Sequence, residues 1–307
     1  NPNDEVLLDV DNMIDYMILN FYIGNADWPG RNHWYGRNRD GDEGFQFYPW
    51  DSETSLGLNA GLNTNRIDVS NAIARPHAAA RANAEFRVRF GDRVHKHFFH
   101  GGAFAGDQPA QRFAALAEMV DTAIVAESAR WGNQLGSTRF TRDRHWRPQR
   151  DYLLNTYLPR RSEIVLEQLR DAGLYPRVDA PIFNQLGGDM AGGFLLTMQA
   201  VDGTIVYTLD GSDPRSENGA AYSGPIALSH PARVKARVLD GGQWSALAEA
   251  IFSVPLLSVA RDHHEIRLTV PAHSDPSAVI QASANLSHWS WLQLAPQPID
   301  QSHELRI

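Results

Sequence analysis

A chain of 307 residues, 43% of them hydrophobic, is long enough for about two domains with separate cores. Acidic residues outnumber basic ones by 36 to 28 and no Lys/Arg run occurs, which excludes the electrostatic footprint of a nucleic-acid or anionic-membrane binder. The absence of cysteine excludes a disulfide scaffold, a thiolate metal site and a cysteine nucleophile, and no apolar stretch approaches the roughly 20 residues that span a bilayer.

The opening Asn1-Pro2-Asn3 is not a charged and then apolar leader, so any export signal is expected outside this sequence. From Val6 to Tyr22, Leu7, Val10, Met13, Ile14, Met17, Ile18 and Phe21 recur at three- and four-residue steps, which predicts a helix with one buried face, capped by Asp9 or Asp11. Gly24-Asn25 ends it, and the turn-forming residues 25–32 make a loop. Two short strands follow, His33 to Arg37 and Phe45 to Trp50, joined through 38–44 by a hairpin containing Asp40-Gly41, with Asp51 at the end of the second. After an irregular stretch from Ser52 to about Ala82, helical patterns cover Glu85–Phe99, Pro109–Gln134 and Arg144–Ala172, the last closing at Gly173 with Pro176 beyond. From Pro181 the period changes to two, with strands at Gly203–Leu209 and Ala232–Leu239. A domain boundary falls near Tyr175–Ala180, and Leu256–Ile307, alternating over Glu265–Val270 and Val279–Ala284, is too short for a third complete domain.

Asp27 and Asn32 stand in the spacing Asp-x-x-x-x-Asn, which in a protein-kinase catalytic loop supplies an acceptor for the substrate hydroxyl proton and an oxygen ligand for magnesium. Asp51 follows after a hairpin, where a kinase places its principal magnesium aspartate. The spacing alone also arises in any Gly/Pro/Asn-rich turn. The wider run carries more: Leu8-Asp9-Val10-Asp11-Asn12-Met13-Ile14-Asp15-Tyr16, then Gly24-Asn25-Ala26-Asp27-Trp28, Asn32, and Phe45-Gln46-Phe47-Tyr48-Pro49-Trp50-Asp51-Ser52-Glu53. Residues 1–176 thereby resemble the CotH kinase family. The resemblance implies a mainly helical lobe like the C-lobe of a protein kinase, with ATP and Mg2+ as cofactors and a secreted or surface protein substrate phosphorylated on Ser/Thr hydroxyls. By position Asp27 is the implied catalytic aspartate, Asn32 and Asp51 the nucleotide-metal ligands, and Glu53 a further residue beside the metal. Such a kinase also needs a glycine-rich strand pair and a lysine over the phosphates. Neither Lys96 nor Lys235 is placed to serve, so this stretch is expected to lack the nucleotide-binding lobe and to be inactive alone.

Ile205-Val206-Tyr207-Thr208-Leu209-Asp210-Gly211-Ser212-Asp213-Pro214, then Tyr222-Ser223-Gly224-Pro225-Ile226 and Val234-Lys235-Ala236-Arg237, resemble the chitobiase/β-hexosaminidase C-terminal domain family, an immunoglobulin-like sandwich common beside extracellular enzymes. Its Asp-Gly and Asp-Pro steps are explained as a strand-ending turn. His95, His97 and His100 lack the i, i+4 spacing of a zinc helix. Asn38, Asp40 and Asp42 lack the glycine and glutamate of a calcium loop. The expected fold is therefore multidomain α+β: a kinase-like lobe over 1–176 with a short β-hairpin, a β-sandwich over 180–254 and an incomplete β segment over 255–307. The expected function is that of a bacterial phosphotransferase at the cell surface or outside the cell. Two alternatives are a non-catalytic surface-binding module with a degenerate kinase lobe, and a glycosidase using Asp51 and Glu53, which needs the two carboxylates roughly 5 to 10 Å apart.

Overall fold

The computed structural model describes residues 6–41, 43–134, 136–190 and 193–254. Beyond them it describes the strand backbones at Ser258–Asp262, Glu265–Val270, Ile280–Ala282, Ser290–Leu292 and His303–Arg306. The chain divides into two units, Asn1–Val178 with Ser245–Leu247 and Asp179–Trp244 with Ala248–Ile307. Helices dominate the first and strands the second, an α+β multidomain architecture.

Asp9 decides where the first helix begins. Its carboxylate accepts from the Asn12 backbone N–H at 3.0 Å, satisfying an otherwise unpaired donor, and α1 runs from there over Val10–Ile23. Residues 6–9 therefore do not continue the helix as their period predicts. Instead Phe45 N–H donates to the Leu7 carbonyl and Asp9 N–H to the Phe45 carbonyl, both at 3.0 Å. Gly24 closes α1 in the left-handed conformation, φ 65°, at no steric cost.

The hairpin is β1 (His33–Gly36) with β2 (Gln46–Pro49), Trp34 opposite Tyr48. In its loop the Asn38 side-chain oxygen accepts from Asp40 N–H at 3.1 Å, a local turn, while Asp42 lies outside the described residues. The side chain of Asn12 fastens β2 to α1. Its Oδ1 accepts from Phe47 N–H at 2.6 Å and its amide donates to the Phe47 carbonyl at 3.3 Å, as a neighbouring strand would.

The irregular stretch contains a short helix, α2 (Arg75–Ala80), followed by α3 (Ala84–Phe98). The pattern expected as one helix over Pro109–Gln134 is two, α4 (Gln108–Val120) and α5 (Ala123–Trp131), broken at Asp121. The Asp121 carboxylate is taken by Arg142, Arg147 and Arg150 at 3.0 to 3.4 Å. The pattern at Arg144–Ala172 divides as well, into α6 (Arg147–Tyr152) and α7 (Leu158–Asp171), preceded by π turns at Arg142–Trp146 and Leu153–Tyr157. Each π turn stands just before a proline, Pro148 or Pro159, whose missing N–H leaves the ordinary i→i−4 ladder incomplete. The turns close with i→i−5 bonds, Arg147 N–H to Arg142 O and Leu158 N–H to Leu153 O. Met13, Ile14, Met17, Ile18 and Phe21 of α1 share one core with Phe86, Phe90 and Val94 of α3 and Val165 and Leu169 of α7. Among the described residues no helix is long and apolar enough to cross a membrane.

Among the described residues of the second unit up to residue 254 there are ten strands: β3 (Ile182–Phe183), β4 (Gly188–Asp189), β5 (Leu195–Leu196), β6 (Met198–Gln199), β7 (Thr204–Thr208), β8 (Ala220–Ala221), β9 (Ile226–Ala227), β10 (Ala232–Asp240), β11 (Gln243–Trp244) and β12 (Ala248–Ser253). One sheet runs β4-β12-β10-β7-β8, with β11 beside β10, and two further pairs join β3 to β6 and β5 to β9. Alternation on β12 buries Ala248, Ala250 and Phe252. Burial pushes the Asp213 carboxyl up, but hydrogen bonds from Arg237 and Arg215 outweigh it and hold the carboxyl well below its ordinary range. Asp213 thus neutralises Arg237, which is 1% exposed, and Asp210 accepts from Ser212 N–H at 2.9 Å within the turn. The strands at Ser258–Asp262, Glu265–Val270 and His303–Arg306 pair antiparallel in that order.

His77 carries a pH dependence. It is 0% exposed, ringed by Phe21, Phe86 and Phe90 with centroids 5.4 to 5.8 Å away, and neither ring nitrogen has a hydrogen-bond partner. Burial, aided by the Arg81 charge, lowers its pKa from 6.5 to about 4. The unfolded chain therefore binds the proton first. Stability is full above pH 6.5 and is lost as pH falls toward 4, by up to about 3 kcal/mol at ~1.4 kcal/mol per unit. Urea midpoints at pH 7.5 and pH 4.5 are expected to separate more for the natural chain than for His77→Phe. Equal separations would remove His77 as the cause.

Candidate active site

The loop after Gly24 is tied down before it reaches Asp27. Trp28 is 2% exposed and its indole N–H donates to the Tyr16 hydroxyl at 2.8 Å, a contact inside the core that leaves Asp27 half-buried at the surface. Burial pushes the Tyr16 hydroxyl up to about 12, so it stays protonated. From behind, Arg161 is 0% exposed and donates to four carbonyls: Phe21 at 2.6 Å, Tyr22 at 2.7 Å, Leu62 at 2.6 Å and Thr64 at 2.9 Å. Two of these belong to the last turn of α1, where a cation also meets the negative end of the helix dipole. Burial lowers the guanidinium pKa, so the carbonyl oxygens take the place of a counter-ion.

Both Asp27 carboxylate oxygens are oriented. Thr54 Oγ1 donates to Oδ1 and Asn32 Nδ2 donates to Oδ2, each at 2.7 Å. The Asn32 amide thereby commits its NH2 to Asp27 and leaves its oxygen as the acceptor end. The strand-like bond from Ala26 N–H to the Thr54 carbonyl, 2.9 Å, aligns the two segments, and Arg66 caps the Ala26 carbonyl at 3.1 Å. Asn32 and Asp51 both adopt positive φ, 55° and 45°. For Asn this is tolerated; for Asp51 it marks the sharp exit from β2 that turns the chain to Ser52–Ser55.

Asp51 acts on Glu53 electrostatically: a hydrogen bond that the protonated Glu53 carboxyl gives to the Asp51 carboxylate, with the charges of Asp51 and Asp27, holds the Glu53 carboxyl above its usual range. Of the residues predicted from sequence, the structure hydrogen-bonds Asn32 to Asp27, while Asp51 and Asp27 bear on Glu53 through their charges. The Asp27 and Asp51 carboxylates and the Asn32 amide oxygen are hard oxygen donors of the kind a magnesium ion takes. Among the described residues no three His, Asp or Glu side chains form a metal cluster by themselves. His95 and His97 go elsewhere, His95 to the Tyr175 hydroxyl at 3.0 Å and His97 to Asp15 at 2.9 Å.

Sequence reasoning missed Thr54, Asn12 and Arg161. No spacing rule marks them, since each acts on a partner distant in the chain.

Residues 5–153 match the family model described as CotH kinase protein, and residues 194–248 match the model described as Fn3 associated. No curated protein and no solved structure matches the chain.

Proposed function

From the match of residues 5–153 to the CotH kinase model we propose that the protein transfers the γ-phosphoryl group of ATP to a Ser/Thr hydroxyl of a secreted or surface protein, with Mg2+, outside the cell. The observation that carries this reading is the pair of hydrogen bonds that fix Asp27 from Asn32 and Thr54, on a site whose Asp27 and Asp51 charges both act on Glu53. A carboxylate oxygen has room for more than one hydrogen bond, so Asp27 can still accept from an incoming hydroxyl. In the transfer the acceptor oxygen forms a bond to the γ-phosphorus, the bond to the β–γ bridging oxygen breaks, ADP leaves, and the hydroxyl proton passes to Asp27. Asn32 Oδ1 and Asp51 would hold the magnesium ion, with Glu53 beside it. A bound Mg2+ supplies charge neutralisation along the phosphates.

Incubation of the full-length protein that carries this chain with γ-labelled ATP, Mg2+ and an unstructured Ser/Thr-rich polypeptide is expected to label hydroxyl side chains. Absence of both labelling and ATP binding would leave the surface-binding module as the reading instead.

A further inference from the structure

Beside the candidate site lies a cavity of about 920 Å³, the size of a ligand site rather than of a packing defect. Ser52 and Glu53 form one wall, so it opens from the same segment that leaves Asp51. The opposite wall is built by α5, the π turn at Arg142–Trp146 and α6. Its apolar lining is exposed: Leu58 at 54%, Trp131 at 47% and Phe140 at 41%. Large apolar side chains left in water around one hollow mark a binding surface.

We propose that this cavity is the acceptor pocket, holding a bulky apolar or aromatic side chain of the protein substrate that flanks the serine or threonine presented to Asp27. This deepens the phosphotransfer reading and rests on it. Continuity with the site argues for an acceptor, because an extended chain whose hydroxyl reaches Asp27 passes Glu53 within a few residues. Charge argues against the nucleotide as occupant. Glu53 and Glu127 on the lining offset Arg144 and His145, so the cavity lacks the cluster of cations that three phosphate groups need. A neutral aromatic side chain meets Trp131 and Phe140 instead.

The test uses fluorescein-labelled short peptides with one serine and a single phenylalanine moved one position at a time along either side of it. Anisotropy with this chain gives affinity, and label from ATP with the full-length protein gives transfer. At one position phenylalanine is expected to tighten binding about tenfold or more and to raise transfer in parallel. Trp131→Ala and, independently, Leu58→Asp are expected to flatten that positional preference. Both sites are exposed, so neither change opens the core. Transfer without positional preference, or a preference that survives in both variants, overturns the pocket and leaves the phosphotransfer reading standing. Competition by ATP for the bound peptide overturns it too. A preference in binding with no transfer to any peptide removes the phosphotransfer reading, and the acceptor role of the cavity with it.

Discussion

Asp27→Asn in the full-length protein is expected to lower phosphate transfer by roughly 10²–10⁴-fold, the range of a lost general base, at every magnesium concentration. The amide keeps the size of the side chain but cannot take the hydroxyl proton. It also sets a donor against Thr54 or Asn32, both of which donate to Asp27 now. Asp51→Asn is expected to fail differently. It removes a formal charge from the metal set and takes away the neighbour that holds the Glu53 carboxyl up, so Glu53 ionises more readily and excess magnesium recovers part of the rate. A magnesium titration of ATP affinity and transfer for both variants separates the two roles. Unchanged transfer in either variant would overturn the role given to that residue.

Arg161→Met is expected to cost at least about 3 kcal/mol, because four carbonyls lose their donor at once and an unsatisfied buried polar group costs about 1–3 kcal/mol. Arg161→Lys keeps the charge but lacks the planar five-donor fork, and should lie between. Hydrogen exchange at the α1 amides reads the loss locally, since Phe21 and Tyr22 are among the acceptors. A loss below about 1 kcal/mol would mean that water replaces the guanidinium.

What the sequence disclosed was local. The period of Met13, Ile14, Met17, Ile18 and Phe21 showed the buried face of α1, and the Asp40-Gly41 turn showed the hairpin, because each signal lies within a few residues of its cause. Leu7 obeys the same helical period and is nevertheless 64% exposed, since its backbone pairs with Phe45 and not with α1. The break at Asp121 depends on arginines 21 to 29 residues later. The candidate site divides along the same line. The Asp27–Asn32 spacing was visible as a motif, while Thr54 is 27 residues from Asp27, Asn12 is 35 from Phe47, and Arg161 is 139 from Tyr22. A polar side chain whose partner lies that far along the chain leaves no periodic trace.

The two π turns bear on how the segment from Arg142 to Asp171 tolerates change. Each inserts one residue beyond the α-helical repeat, so it advances the phase of everything downstream by about 100°. The first sets Pro148 and Gln149 of α6 toward the cavity, and the second sets Leu158, Val165 and Leu169 toward the core. The rod is thus keyed in rotation rather than in length. Deleting a single residue from either turn would regularise the helix, shorten it by only about 1.5 Å, and turn the following face out of register, whereas a substitution that keeps the count leaves every face in place. Pro148 and Pro159 hold the count by denying the regular ladder its next donor.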